Sequence, residues 1–308
     1  MKALVLGDKG FLGRHFAAEL ERCGYDVVGL DTKRSPAQDY RPWFNSSAAA
    51  RAGYFDLVVH AAAVVGGRAK IDGTPLATAV NLSIDAEMFR WASLARPGRV
   101  VYFSSSAAYP VDYQTEHGHK LLYEHALNTR DHPEYTVGYP DQVYGWTKVV
   151  GEVLAGKLRE AGVPVTVVRP FSGYGTDQDD DYPFPSFIRR ARERGRADGG
   201  VFRIWGDGGQ VRDFIHVDDI VARTLAVAED GAAEPVNLCT GRAVSFNQLA
   251  LVVCQEAGWD DPEYTHLLDA PVGVRYRVGD PSRMRRLTGD SPLISLETGI
   301  RRALDASS

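Results

Sequence analysis

The first thirty residues leave the chain few folds to choose from. Met1-Lys-Ala-Leu-Val-Leu-Gly7 is a short apolar run of the kind found in strands buried on both faces. It leads directly into Gly7-Asp-Lys-Gly10-Phe-Leu-Gly13, and from Phe11 to Cys23 apolar residues recur at helical spacing (Phe11, Leu12, Phe16, Leu20). Gly24 stops that helix, and Val27-Val28-Gly29-Leu30 makes a second strand, which completes a βαβ unit. The glycines have separate tasks: one permits a tight turn, one lets backbone approach a pyrophosphate, and one lets the helix pack against the strand. The helix N-terminus then faces the phosphates of a dinucleotide with unpaired N–H groups and about half a positive charge. Gly7, Gly10, Phe11, Leu12 and Gly13 are therefore the expected cofactor-binding turn. Asp31 ends the second strand, 18 residues after Gly13, where a carboxylate accepts from a ribose diol and repels a 2'-phosphate. That favours NAD over NADP, although Lys33 and Arg34 follow and could hold a 2'-phosphate.

The same alternation continues along the chain. Residues 32–54 are polar and rich in Ser and Ala around a Trp43-Phe44 island, so a third strand there is expected to be very short or absent. Asp56 to Ala63 reads as a buried strand ending in small residues, and Arg99 to Ser104 as the next, with a helix from Asn81 to Ala95 between them. A helix from Tyr144 to Ala161 leads to a strand at Val165 to Val168. The predicted fold class is α/β: a Rossmann-like doubly wound parallel sheet with a smaller mixed α/β C-terminal substrate lobe. Residues 1–172, with returning segments near 212–240, form the expected nucleotide-binding domain, and 173–308 the substrate lobe, with helices at Val221 to Ala228, Phe246 to Ala257 and Leu296 to Leu304.

Composition narrows the function classes. Thirty-five Lys and Arg against 40 Asp and Glu leave a formal charge of -5, so no overall basic field draws the molecule to nucleic acid. Cys23, Cys239 and Cys254 have neither metal-ligand spacing nor an even disulfide pattern, which argues for a reducing compartment and against a metal site. The longest nearly apolar run, Leu57 to Val65, is about half of a bilayer span, and a strand begins at Lys2 with no cleavable leader before it. A cytoplasmic enzyme with no membrane partner is expected.

Two segments carry the chemistry: Phe103-Ser-Ser-Ser-Ala-Ala-Tyr109 and Tyr144-Gly-Trp-Thr-Lys148. In the second, Tyr and Lys lie one turn apart on one helix face. A free phenol, with a pKa near 10, is a poor base at neutral pH, but a neighbouring ammonium and a cationic nicotinamide ring favour the phenolate. A downward shift of three units takes about 4 kcal/mol of differential stabilisation, which two close cations in a water-poor cleft can supply.

Together with GxxGxxG at Gly7, Gly10 and Gly13, HAAA at 60–63, SSSAAY at 104–109, RPFSGYG at 169–175 and WGDGGQVRDFIHVDD at 205–219, these segments resemble the extended short-chain dehydrogenase/reductases. The resemblance is to the branch of NAD-dependent nucleotide-sugar epimerases and dehydratases, in family order over nearly the whole chain. It implies Tyr144 as base, Lys148 as its electrostatic partner and nicotinamide-ribose ligand, and Ser105 as the hydroxyl that holds the sugar hydroxyl. It further assigns Ala61, Ala62, Ala63 and Ser104 to the NAD cofactor, and Ser106, Ser172, Arg212 and Arg275 to the nucleotide-sugar substrate. Guanidinium suits a diphosphate because it binds bidentately and keeps its charge, although Arg277 is as well placed as Arg275. His60 and His216 match positions of structural character, and Asp218 and Asp219 are expected to cap a helix.

The residue two after Ser105 separates reactions within this family. Sugar dehydratases and decarboxylases resembling this chain carry Glu there, and GDP-mannose 3,5-epimerases and GDP-fucose synthases carry Cys. Here it is Ala107, which exchanges no proton, and this favours 4-epimerisation through a transient 4-keto sugar. Val64-Val-Gly66-Gly67-Arg, Tyr109-Pro110 and Gly273 to Asp280 instead resemble the GDP-sugar branch, so a 3,5- or 5-epimerase with a base from Tyr182, His117, His119 or Asp179 to Asp181 stands as the alternative. A noncatalytic NAD-binding sensor of the same fold is the third. Enzymes of this fold commonly pair through the helices that here follow Asn81 and contain Tyr144, so a homodimer is expected.

Overall fold

The structure, a computed structural model, describes residues 1–33, 39–66, 75–115, 121–127, 138–194 and 200–306. The first half runs β1 (Lys2–Leu6), α1 (Phe11–Arg22), β2 (Asp26–Leu30), α2 (Tyr40–Trp43), α3 (Ser47–Ala52), β3 (Leu57–His60), α4 (Pro75–Ala95), β4 (Val100–Phe103), α5 (Gln142–Glu160) and β5 (Val165–Pro170). The second half adds β6 (Ser172–Tyr174), α6 (Pro183–Arg192), β7 (Val201–Trp205), β8 (Val211–Arg212), β9 (Phe214–His216), α7 (Val217–Asp230) and β10 (Val236–Leu238). It ends with β11 (Val244–Ser245), α8 (Phe246–Glu256), β12 (Glu263–Leu267), β13 (Tyr276–Arg277), α9 (Ser282–Thr288) and α10 (Leu296–Asp305).

Six strands make one parallel sheet in the order β10-β5-β4-β3-β1-β2. Strand β1 shows why both faces must be covered. Leu4 and Leu6 face a layer containing Met88 and Phe89 of α4 and Leu158 of α5. Ala3 and Val5 face the other layer, with Phe16 and Leu20 of α1 and Ile220 and Val227 of α7. Each fully buried large apolar side chain in these layers contributes roughly 1.5–3 kcal/mol relative to exposure.

Past β2 the described residues hold α2 and α3 rather than another strand. The Trp43-Phe44 island packs as a helix on the sheet, with the Phe44 ring stacked on Trp91 at 4.7 Å. Helix α4 starts at Pro75, six residues before the expected Asn81. A proline is tolerated at a first helical position because the N–H it lacks has no intrahelical partner there. Helix α9 had no apolar periodicity to announce it: Met284 is its one buried residue.

The smaller lobe has its own core of Phe184, Phe187, Ile188, Phe202, Ile204, Phe246, Leu249, Val253 and Ile300. Around it lie the short sheets β11-β8-β13, β12-β7 and β6-β9. The chain leaves β1 for β2 on one side and returns to β3 on the other. The strand order therefore reverses at β1, and a crevice opens beyond the carboxyl ends of β1 and β3.

Candidate active site

The nucleotide end of the crevice is built from backbone. Gly7 has φ +83°, and a Cβ on it would lie 2.7 Å from the Ala62 Cα across the reversal point. A Cβ on Gly13 would lie 2.0 Å from the Gly7 carbonyl oxygen, so α1 packs down on the turn only with glycine there. At Gly10 the added atom would meet only that same oxygen, at 3.1 Å, and otherwise open space. Gly10 is also the N-cap of α1, with no side-chain cap and no acidic residue in the first turn. The first N–H groups of the helix, at Phe11, Leu12 and Gly13, are thus offered to an anion, and the cradle fits a pyrophosphate.

Asp31 stands beside this turn, 9% exposed, its carboxylate accepting from the backbone N–H of Lys9 at 3.0 Å and of Lys33 at 2.7 Å. That holds it where the second strand ends. Asp8, which sequence reasoning passed over, is a second buried carboxylate at this edge, and Gly29 leaves room for it: a Cβ there would be 2.4 Å from the Asp8 carboxyl. Its signal was its place inside the glycine turn. Arg34 lies outside the described residues. Ala61, Ala62 and Ala63 follow β3 half-buried, and Val64 is fixed by Asn81 through hydrogen bonds of 2.7 and 3.0 Å.

Beside the nucleotide end lies a cleft of about 870 Å³ whose lining includes Ser105, Ala107, Tyr144, Ser172, Tyr182 and Arg212. Ser105 leaves β4 in extended backbone, and its Oγ accepts from the Ala107 N–H at 3.1 Å. Tyr144 comes from the first turn of α5, which approaches closely because Gly145 lacks a Cβ that would lie 2.4 Å from the Ala107 carbonyl oxygen. Lys148, one turn on, is 3% exposed; its Nζ donates to the Phe103 carbonyl at 2.9 Å and lies 5.8 Å from the Tyr144 ring centroid. The strand end and the helix thus bring a hydroxyl, a phenol and an ammonium to one place.

Other expected residues are placed differently. Ser104 is 2% exposed, and its hydroxyl donates into the core to Glu152 at 2.5 Å, so any cofactor contact there is left to its backbone. Glu152 in turn takes a bidentate pair from the fully buried Arg169, at 2.8 and 2.7 Å. Ser106 is buried in a short 3-10 turn and does not line the cleft. Arg275 is captured by Asp207, with two 2.7 Å bonds, and is not part of the lining, whereas Arg277 is. The Arg277 guanidinium donates to Gln114 at 2.5 Å and to Asp141 at 2.8 Å. Arg275, the arginine expected on the substrate, is thus held outside the lining by a carboxylate 68 residues away in sequence.

Among the alternative bases, His117 and His119 lie outside the described residues. Tyr182 lines the cleft, but burial pushes its phenol well above the usual range, which suits it poorly to accept a proton. Asp180 and Asp181 line the cleft as well, with Asp180 3.9 Å from Arg189. His60 is bonded to Asp85 at 2.7 Å within the core. His216, not Asp218 or Asp219, caps α7: its Nδ1 accepts from the Asp218 N–H at 3.2 Å, and burial lowers its pKa. Asp219 accepts from the Ile294 N–H at 2.8 Å, and Asp218 pairs with Arg302 at 3.2 Å. Strand β9 runs straight into α7 with His216 in extended backbone at the cap position, which leaves the ring, rather than the acids after it, facing the open N–H. No helix among the described residues is long and apolar enough to cross a membrane.

The chain is similar to the dTDP-4-dehydro-6-deoxy-D-allose reductase of Streptomyces bikiniensis, with 30% identity over 96% of this chain and 93% of that one. It is 26% identical to GDP-mannose 3,5-epimerase 1 of Oryza sativa subsp. indica over 98% of this chain and 80% of the other. Its fold matches that of the UDP-glucose 4-epimerase of Thermotoga maritima, solved with UDP-glucose, at a TM-score of 0.81 and 23% identity over 99% and 98% of the two chains. A model of the NAD dependent epimerase/dehydratase family matches residues 3–239, from the first strand of the sheet past its last, and on that match the chain belongs to this family of enzymes and uses NAD.

Proposed function

We propose that the protein inverts a nucleotide-activated sugar at C4 through a 4-keto intermediate, with its NAD recycled in place. The observation that carries this reading is the pairing of Ser105 and Tyr144 on a cleft where Ala107 stands at the position that separates the family's reactions. In the reaction, the Ser105 Oγ holds the C4 hydroxyl and the Tyr144 oxygen takes its proton, with the Lys148 ammonium beneath the ring compensating the charge that develops. NAD, when bound, supplies the acceptor and later the donor of the hydride. Rotation of the ketosugar in the cleft presents its other face, and the same oxygen returns the proton. No step needs an acid or base at Ala107. Arg212, on the cleft wall over the Phe246 ring, suits the diphosphate of the substrate. Residues 1–172, with the returning 212–240, hold the cofactor in this reading, and 173–308 hold the nucleotide sugar.

The test is product NMR after incubation in deuterated water with UDP-, GDP-, CDP- and dTDP-sugars. Inversion at C4 with no solvent deuterium is expected. Deuterium at C3 or C5 would replace the reading with the 3,5-epimerase alternative. The likeness to a 4-ketosugar reductase favours a second reading, since the same three side chains can serve a single hydride delivery. It predicts one NADH consumed per product and no epimer without it.

The quaternary proposal is a homodimer through α4 and α5, which pack side by side. Leu82, Val143, Trp146, Val150 and Val153 are each between 36% and 42% exposed on these helices.

A further inference from the structure

Behind Lys148 lies a group of buried polar side chains for which the proposed chemistry has no use. Asp85 of α4 is 2% exposed, its Oδ1 lies 2.7 Å from His60 Nε2, and its Oδ2 accepts from the Tyr102 hydroxyl at 2.7 Å. The other ring nitrogen of His60 has no partner among the described residues. A second proton on that ring would be buried and unpaired, so the geometry suits the tautomer that donates from Nε2 to Asp85. Both neighbours bring hydrogen bonds to the carboxylate. A carboxylate sealed in this way needs a cation.

Among the described residues the surrounding elements leave one candidate. Glu152, one turn beyond Lys148 on α5, is matched by Arg169 of β5 within its own buried pair. Tyr40 of α2 stands edge-on to the His60 ring at 6.0 Å, and burial and then the charge of Asp85 push its phenol up, so it adds no charge. Tyr144 faces the cleft. Lys148 remains, its Nζ over the face of the same Tyr102 ring, 5.2 Å from the centroid. Burial drives the Asp85 carboxyl upward, yet Lys148, His60 and Tyr102 together hold it below the usual range.

We propose that Asp85 is the buried counter-ion of Lys148, a positioning residue that keeps the lysine protonated in a layer closed to water. The inference rests on the reading of Tyr144 and Lys148 as the reacting pair, and it gives the pair's charge a source of support outside the cleft. Without Asp85 the ammonium would be buried against a single carbonyl and two ring faces, and desolvation would favour its neutral form.

The experiment is a pH titration of the NAD-loaded protein labelled with carbon-13 at the lysine Cε, with Lys148→Met used to identify the signal. Asp85→Asn keeps the size of the side chain while removing the charge; its amide oxygen still accepts from His60, and its NH2 donates instead to the Tyr102 hydroxyl, which turns from donor to acceptor. The pH at which Lys148 loses its proton is expected to fall by at least one unit in the variant, and the alkaline limb of the rate profile to move down with it. An unchanged lysine titration overturns the proposal. A shifted lysine titration with an unmoved rate profile supports the counter-ion and counts instead against Tyr144 and Lys148 as the reacting pair. Should Asp85→Asn fail to fold, the coupling is read from the other side in Lys148→Met, where the Asp85 carboxyl is expected to titrate at higher pH than in the parent; no change there overturns the proposal equally.

Discussion

Tyr144 and Ser105 reach one cleft from a helix and a strand end 39 residues apart in sequence. Removing the phenol oxygen in Tyr144→Phe deletes the proton acceptor and leaves the ring in place, so kcat should fall by about 10²- to 10⁴-fold with KM little changed. Ser105→Ala removes one hydrogen bond to the reacting hydroxyl, and a loss of roughly 10- to 100-fold is expected. Steady-state kinetics on any sugar the protein turns over checks both, and a Tyr144→Phe enzyme within threefold of the parent would rule the phenol out as base. These two residues, with Lys148, were legible because a four-residue helical spacing and a strand end are local patterns. Arg275 shows the limit. Which of two arginines two residues apart lines the cleft depends on Asp207 and Asp141, carboxylates set in distant elements, and no local pattern records them. Asp85 was invisible for the same reason, since its partners come from β3 and β4.

At the scale of elements, the βαβ unit makes a sharper demand on one glycine than on another. In Gly13→Ala the new methyl would sit 2.0 Å from the Gly7 carbonyl oxygen, and backbone must move to admit it, so the turn and α1 should separate and the protein lose stability with or without cofactor. Gly10→Ala places its methyl 3.1 Å from that oxygen and in the space offered to the pyrophosphate. It should leave the melting temperature of the cofactor-free protein within a few degrees of the parent while weakening NAD binding. Thermal melts with and without NAD separate the two cases; equal losses in the cofactor-free melts would show that the glycines share one task. The sequence pattern located this turn because strand, glycines and helix follow one another within it. It placed element ends less well: α4 begins at Pro75 and α5 at Gln142, since the start of a helix is decided by its first turn and not by the apolar stripe that follows.

At the scale of the whole molecule, α5 has two masters. Its inward face carries Lys148 and Glu152 beneath the reacting cleft, each at most 3% exposed. Its outward face carries Val143, Trp146, Val150 and Val153, recurring every three or four residues and between 36% and 40% exposed, and the neighbouring α4 exposes Leu82. A stripe of that period suits the seam of a helical bundle, and two such helices from each of two copies would make a four-helix interface. The prediction is that the parent sediments at micromolar concentration with twice the chain mass of 33.7 kDa. Val150→Asp combined with Val153→Asp, which puts charges on the seam and touches nothing in the cleft, should sediment as the single chain. A parent that already runs at 33.7 kDa removes the dimer. Because the seam and the reacting pair share one helix, the double variant should also lose part of its rate: an outward face released to water no longer braces the turn that aims Tyr144, and the loss should appear in kcat together with a lower melting temperature.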